Sequence, residues 1–366
     1  GYVVAISADG STIAIGAPHE DGGLDPDAPD QEATRDSGAV YVFTKTGAEW
    51  SWQARLKAGN AGKEDHFGTS VALSGDGNTL AVGAPDEDGV TDSTLGSGAT
   101  YVFARTGAAW EQQRYLSVNP GLFDYFGSSV ALSGNGNLLA VGARHDDSTF
   151  IISGAVYVFT REGGDWSQPV QIKPDVPGLE DGFGASIALS SGGTTLIVGA
   201  PNEDGGSSGL TGNPADNSKA DAGAAYVFTR IGTAWQQQLY VKASNTDEGD
   251  QFGTSVSISA DGTLFVVGAH KERSAATGVD GNQLDNSRSD RGAAYVFAHN
   301  GSAWSNRAYL KSSNLTTHSH SFGRSVAMAG NASTIAIGAP DEPGSSPGVQ
   351  GDQAPQGAFG AGAVDL

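Results

Sequence analysis

The chain has no cysteine and only one methionine among its 366 residues. The absence of cysteine excludes a disulfide framework and every thiolate metal site. Basic residues are also scarce, with 20 Lys and Arg against 41 Asp and Glu, which gives a formal net charge of −21. Because nucleic-acid phosphates require a basic footprint, we expect no nucleic-acid partner.

Long apolar runs are missing as well. No stretch of 18 or more apolar residues occurs, so we expect no membrane insertion. Glycine is abundant, at 54 residues without a G-X-Y period, which predicts many turns and close backbone contacts. The acidic, cysteine-free composition fits an extracellular or cell-surface protein of prokaryotic type.

One pattern recurs six times along the chain, and its second copy reads FGTSVALSGDGNTLAVGAP. The copies begin at Gly1, Phe67, Phe126, Phe183, Phe252 and Phe322. A GA-x-YVF segment follows in five copies, and a degenerate GAVDL ends the sixth. Five copies then carry a tryptophan and, six residues on, an aliphatic residue: Trp50/Leu56, Trp110/Leu116, Trp166/Ile172, Trp235/Val241 and Trp304/Leu310.

Each copy predicts four short strands. The SVAL-like and post-tryptophan segments alternate polar and apolar residues, whereas the TLAVGA-like segment is a continuous apolar run typical of a buried strand. Four strands repeated in units of this length predict an all-β fold, a β-propeller of four-stranded antiparallel blades. We expect one domain over residues 1–366, with blades at about 1–66, 67–125, 126–182, 183–251, 252–321 and 322–366.

The last predicted blade lacks its fourth strand. Six blades are visible, and a seven-bladed propeller with one blade missing from the chain is the alternative. Either arrangement indicates part of a longer chain or assembly. Short turns join the first two strands of each blade, at Asp9-Gly10, Asp76-Gly77, Asn135-Gly136, Gly192-Gly193 and Asp261-Gly262.

These dipeptides accept positive φ at both turn positions and therefore predict tight hairpins. The sixth copy has Asn331-Ala332 instead. Alanine is poor at positive φ, so a looser hairpin is expected there.

The four linked submotifs resemble the FG-GAP repeat, the blade unit of the integrin α-subunit propeller, and look closest to its bacterial version. The resemblance covers essentially the whole chain and implies a β-propeller with a binding or adhesive role at the cell surface. Integrin-type repeats hold calcium in an acidic loop between the first two strands. The equivalent stretch here, Ser74 to Asn78, offers one carboxylate, so that calcium site is not expected.

The long loops lie between the second and third strands, and alternation of strand direction places them on one face with the crossing loops between blades. Long loops on a rigid scaffold are a common place for binding. An acid stands two residues past the proline, or its replacement, in every copy, and in four copies a second acid follows. These ligand-binding candidates are Glu20, Asp21, Glu87, Asp88, Asp146, Asp147, Glu203, Asp204, Glu272 and Glu342.

The same pattern also fits acids that fix the loops by accepting backbone N–H groups. The crossing loops end on that face. Four have an aspartate two residues before phenylalanine, and the sixth copy has His320 there. The aspartates are Asp65, Asp124, Asp181 and Asp250. Further clusters are metal-ligand candidates, although Asx turns explain them equally well. They are Asp25, Asp27, Asp30, Asp216, Asp280, Asn282 and Asp285. No cofactor is required, and calcium is the ion that these oxygen ligands would suit.

No catalytic motif is present, so we expect a non-catalytic protein. The favoured hypothesis is a binding or adhesion propeller with a protein or glycan ligand on the long-loop face. A carbohydrate-binding or carbohydrate-processing propeller and a structural module of a large surface protein or filament remain alternatives.

Overall fold

A computed structural model describes residues 1–22, 34–89, 94–118, 121–148, 152–313, 319–343 and 361–366. The elements in these ranges are β-strands, and no helix within them is long and apolar enough to cross a membrane. The chain groups into two compact units, Gly1–Lys173 with Phe183–Gly193 and Pro174–Gly182 with Thr194–Leu366. The arrangement of residues 1–366 as one domain stays a prediction.

The first unit contains two four-stranded antiparallel sheets, β1-β2-β3-β4 and β5-β6-β7-β8, and a third, β9-β10-β11, whose outer strand is split into β12 and β13. Its strands are β1 (Val3–Ile6), β2 (Thr12–Ala17), β3 (Ala39–Thr46), β4 (Glu49–Leu56), β5 (Ser70–Leu73), β6 (Thr79–Ala84), β7 (Ala99–Thr106), β8 (Ala109–Leu116), β9 (Phe126–Leu132), β10 (Leu138–Ala143), β11 (Ala155–Glu162), β12 (Asp165–Trp166), β13 (Val170–Ile172) and β14 (Ser186–Leu189).

The second unit continues the pattern. Strands β15, β16 and β17 pair in that order, β18-β19-β21-β22 is extended by the short β20, and β23-β24-β25 has three strands. The strands are β15 (Thr195–Ala200), β16 (Ala224–Ile231), β17 (Ala234–Val241), β18 (Phe252–Ile258), β19 (Leu264–Ala269), β20 (Gly278–Val279), β21 (Ala293–His299), β22 (Trp304–Lys311), β23 (Ser325–Met328), β24 (Ile335–Ala339) and β25 (Ala363–Asp365).

Burial follows the predicted strand types. Every residue of β6 and β10 is buried, as expected for apolar strands covered on both faces, whereas β8 exposes most of its residues. Sequential antiparallel strands of this kind, repeated six times, are the blades of a β-propeller. The predicted fold class is confirmed.

The phenylalanine of each repeat anchors the core. Phe67 is fully buried, and its ring packs edge-on against Tyr101 and Phe103 at centroid distances of 5.3 and 5.9 Å. Phe126 and Phe252 make the same pair of contacts in their own repeats. Such edge-to-face aromatic packing adds about 1 kcal/mol per pair beyond burial itself.

The two glycines of the repeat meet where consecutive repeats touch. A Cβ placed on Gly83 would lie 2.0 Å from the carbonyl oxygen of Gly127. Gly16 has the same relation to Gly68. Only a residue without a side chain allows this approach, so the FG and GA pairs of the motif are a packing requirement.

The hairpin turns differ in detail from the prediction. Only the second residue of each pair has positive φ, as at Gly10 (68°) and Gly77 (66°). The first residue instead accepts the N–H two residues on, for example Asp76 Oδ1 from Asn78 at 3.0 Å. The same bond is made by Asp9, Asn135 and Asp261. Hydrogen bonds from the hydroxyl of Ser7 and from the N–H and hydroxyl of Ser11 lower the pKa of Asp9 to about 2.

The prediction of a looser sixth hairpin was wrong. Ala332 adopts a φ of 58°, and its N–H donates to Ala329 O at 2.8 Å, as in the glycine-containing copies. The turn hydrogen bonds therefore override the preference of alanine, at a cost of about 1 kcal/mol.

Candidate functional site

The acidic candidates begin the long loops directly after the second strand of each repeat. The N–H of Glu87 donates to Ala84 O at 3.3 Å, and Glu87 O accepts the N–H of Gly98 at 2.9 Å. The same two bonds occur in all six repeats. This residue therefore closes the loop with its own backbone, whatever the length of chain between its ends.

The carboxyl groups of these acids are buried. Glu87, Asp146, Glu203, Glu272 and Glu342 are at most 3% exposed. The side chain of the sixth, Glu20, is 21% exposed. The structure thus places the first acid of each pair inside the repeat.

A lysine at the end of the fourth strand neutralises four of the acids. Lys242 Nζ lies 2.6 Å from Glu203 Oε2, and Tyr240 OH donates to the other carboxylate oxygen at 2.7 Å. The remaining ion pairs are Lys57–Glu20, Lys173–Asp146 and Lys311–Glu272. Burial lowers the pKa of Lys242, yet the paired carboxylate opposes that effect. Removing one partner of such a buried pair costs about 3–5 kcal/mol.

Sequence reasoning missed these lysines, although a signal was present. In four repeats a lysine directly follows the aliphatic residue that comes six positions after the tryptophan: Leu56-Lys57, Ile172-Lys173, Val241-Lys242 and Leu310-Lys311. The second repeat has Leu116-Ser117 instead.

Glu87 consequently has no lysine partner in the described structure. Asn60 Nδ2 and Tyr101 OH each donate to its carboxylate at 2.7 Å. The neighbouring carboxyl group is that of Asp65, which is itself 5% exposed. Burial, together with the negative charge of Asp65, raises the pKa of Glu87 to about 8. Glu87 therefore stays protonated to a higher pH than an ordinary glutamate.

The aspartates of the crossing loops are also buried. Asp181 and Asp250 accept the N–H of the residue three positions earlier, at 2.7 and 2.9 Å. Asp65 and Asp124 make the same type of bond. Burial raises the pKa of Asp181 to about 7 and that of Asp250 to about 8. These groups brace the loop that leads into each phenylalanine.

The second acids of the pairs fix the far ends of the long loops. Asp21, Asp88 and Asp204 each accept a backbone N–H 8 to 17 residues further on, at 2.8 to 2.9 Å. Asp147 is exposed. These carboxylates are nearer to solvent than the first acids, but three of them already have structural partners.

Three of the candidate metal ligands are engaged in local turns, and a fourth binds the backbone of a strand. Asp216, Asn282 and Asp285 each accept the N–H two residues on, and Asp280 accepts the N–H of Tyr309 at 2.9 Å. Asp25, Asp27 and Asp30 lie outside the described residues. Within the described part of the chain, the only group of three His, Asp or Glu with ligand atoms within 4.8 Å of one another is His19, Asp36 and His66. None of these three was among the predicted site residues.

An exposed apolar patch lies where a long loop meets a crossing loop. Leu95, Leu122 and Phe123 are 54%, 62% and 49% exposed. The N–H of Phe123 donates to Leu95 O at 2.9 Å, and the Phe123 ring lies 6.3 Å from that of Tyr125. We call these four residues the Phe123 patch.

The repeats define the chain as a protein built from β-propeller blades. Three segments match the FG-GAP repeat family, at residues 50–103, 110–159 and 235–297. The chain is therefore an FG-GAP repeat protein, as the motifs predicted. No curated protein matches it significantly.

Proposed function

We propose that this protein is an extracellular or cell-surface binding module that takes a protein or glycan ligand on the long-loop side of its sheets, without catalysis. The FG-GAP propeller fold is consistent with a binding module. The Phe123 patch is the observation that carries the proposal, because large apolar side chains presented to solvent by loops are typical of interaction surfaces.

The backbone conformation of Phe123 also supports a role in ligand binding. Phe123 has a φ of 62°, and its counterparts Glu64, Glu180 and Gly249 are also positive. Such a backbone costs a bulky residue about 1–3 kcal/mol, and glycine adopts it freely. A half-exposed phenylalanine recovers little of this cost by burial, so its presence supports a role in contact.

The substitution Phe123→Gly distinguishes a role of Phe123 in ligand binding from a role in the stability of the fold. We expect the variant to be as stable as the wild type or more stable, since Gly249 already occupies this position in the fourth repeat. Binding should weaken by at least about tenfold, the usual consequence of removing an aromatic hot spot. The measurement is binding of the purified chain to a glycan array and to a panel of purified cell-surface proteins.

Glu180→Gly is the matched control, because it relaxes the same backbone position without removing an aromatic ring. We expect it to bind as the wild type does. Equal binding by the Phe123→Gly variant would refute the proposed surface. Whether glycan or protein spots bind decides between the two ligand classes, and hydrolysis of an arrayed glycan would overturn the non-catalytic assignment.

A further inference from the structure

A mixed histidine and carboxylate cluster lies where the first and second repeats meet. His19 and Asp36 lie at the two ends of the long loop between β2 and β3, and His66 immediately precedes Phe67. One ligand atom from each lies within 4.8 Å of the others. All three residues belong to the first unit.

Backbone contacts hold the cluster together. The N–H of His66 donates to Asp36 O at 3.2 Å, and both residues have positive φ, 54° and 52°. His19 Nδ1 lies 3.2 Å from Asp36 Oδ1. His66 Nδ1 lies 2.7 Å from Asp86 Oδ2 in the second repeat.

The same backbone bond forms at other junctions without histidine. Tyr125 N donates to Gly96 O at 3.1 Å, and Ser321 N donates to Asp290 O at 3.0 Å. Tyrosine and serine therefore satisfy the backbone requirement at the position of His66. The fold of the repeat therefore does not require the combination of His19, Asp36 and His66 at the first junction.

We propose that His19, Asp36 and His66 bind a first-row transition metal ion of the zinc class. Imidazole nitrogen with one carboxylate oxygen suits zinc, copper or nickel, whereas calcium prefers oxygen ligands alone. With metal–ligand bonds of about 2.0–2.2 Å, tetrahedral ligand atoms lie about 3.4 Å apart. The side chain of His19 is 68% exposed and can turn to close the remaining distance.

Asp86 acts on His66 as a positioning residue. Its carboxylate accepts the proton of His66 Nδ1, which leaves Nε2 as the nitrogen for the metal. This carboxylate–histidine–metal arrangement recurs in metalloproteins, and it orients the ring and increases its basicity. Three protein ligands leave a further coordination position for water or for an external donor group.

Two cations lie beside the cluster. Arg35 Nε is 3.8 Å from Asp36 Oδ2, which is the carboxylate oxygen turned away from the His19 contact, and Arg35 also pairs with Glu64. Lys63 Nζ lies 3.9 Å from Glu64 Oε1. The acids Asp36, Glu64 and Asp86 still outnumber these two cations at the junction. The local field therefore favours a divalent cation.

The test is titration of the purified full chain with Zn²⁺ by calorimetry and with Co²⁺ by visible absorption, both in excess calcium to occupy non-specific carboxylates. We expect one saturable ion per chain and a Co²⁺ spectrum typical of nitrogen ligation. His19→Ala and His66→Asn should each weaken binding by more than about tenfold, and Asp86→Asn by about 10-fold. Asparagine is used at position 66 because it tolerates positive φ.

His145→Ala is the matched control. His145 occupies the position of His19 in the third repeat but packs on Tyr125, with ring centroids 5.1 Å apart. The control should bind Zn²⁺ as the wild type does. Absence of saturable binding, unchanged affinity in the His19 and His66 variants, or an equal loss in the control would each overturn the proposal. The result is independent of ligand binding at the Phe123 patch.

Discussion

The first prediction concerns the substitution Glu87→Gln. In four other repeats a lysine at the end of the fourth strand pairs with the long-loop acid, but the second repeat has no lysine at that position. Glu87 is 1% exposed and shares its site with Asp65, while the position of the missing lysine is Ser117. Glutamine keeps the shape of the side chain and can accept from Asn60 or Tyr101 while donating to Asp65. The substitution therefore removes charge with little change in packing.

The magnitude follows from the pKa of Glu87, which rises from 4.5 to about 8 on folding. At 1.36 kcal/mol per pKa unit, ionisation of the folded site costs about 5 kcal/mol. Solvent relaxation reduces such a cost, so we expect about 2–4 kcal/mol.

The direction of the pH dependence of stability follows from the pKa of Glu87, which is higher in the folded state than in the unfolded state. The favourable contribution of protonated Glu87 is complete below about pH 4.5 and is lost as the pH rises through about 8. Glutamine does not titrate. The variant should match the wild type near pH 5 and be more stable by about 2–4 kcal/mol near pH 9.

The same substitution in the fourth repeat should have the opposite effect. Glu203→Gln leaves the ammonium group of Lys242 buried without its counter-charge, since Lys242 is fully buried. We expect a loss of about 3–5 kcal/mol, present at pH 5 and at pH 9 alike. The two variants thus make the same chemical change at the same repeat position, once without a lysine partner and once with one.

Urea unfolding followed by tryptophan fluorescence at pH 5, 7 and 9 measures both effects. The Glu87→Gln variant should retain some pH dependence from Asp181 and Asp250, whose pKa values burial also raises, so the substitution should remove only part of the slope. Destabilisation of Glu87→Gln at pH 9, or an unchanged slope between pH 5 and pH 9, would refute the reasoning.

Three further substitutions test the repeat itself. Gly83→Ala should lose more than about 3 kcal/mol or fail to accumulate as soluble protein, because its Cβ would lie 2.0 Å from Gly127 O. Ala332→Gly should gain about 1 kcal/mol in urea unfolding, because it relieves a φ of 58°. Ser117→Lys should supply the ammonium group found in four other repeats, lower the pKa of Glu87 and increase stability at pH 9 by about 1–3 kcal/mol.

Two glycines provide the controls for these changes. A Cβ on Gly107 or on Gly10 would meet nothing within 4 Å, although both residues have positive φ. Alanine at either position should cost only about 1 kcal/mol. A loss at Gly83 no larger than at Gly107 would contradict the packing argument, and a gain from Ala332→Gly without a loss from Gly10→Ala would contradict the backbone argument.

The strands were predictable because each is encoded locally. A continuous apolar run such as Thr79–Ala84 and the alternation around it specify a buried strand between half-exposed ones. The turn conformation was less predictable. The side chain of Asp76 binds a backbone N–H two residues on, and this leaves only Gly77 in the left-handed region.

The candidate site was predictable in position but not in environment. The recurrence of an acid at the start of every long loop identified Glu203, yet its burial depends on Lys242, a residue 39 positions away that strand pairing brings beside it. The cluster of His19, Asp36 and His66 joins the long loop of the first repeat to the end of its crossing loop through a backbone bond that neither segment alone reveals.

The first acid of each pair explains how the repeat tolerates loops of different lengths. Its N–H and carbonyl oxygen bind the two ends of the loop in every copy. Loop composition is consequently free to vary while the buried ion pair and the phenylalanine core stay fixed. The positions that break the internal pattern, Phe123, His66 and Ser117, are then departures that folding does not demand. Two of them carry the proposed binding surface and the proposed metal site, and the third leaves the carboxyl group of Glu87 without the lysine that four other repeats supply.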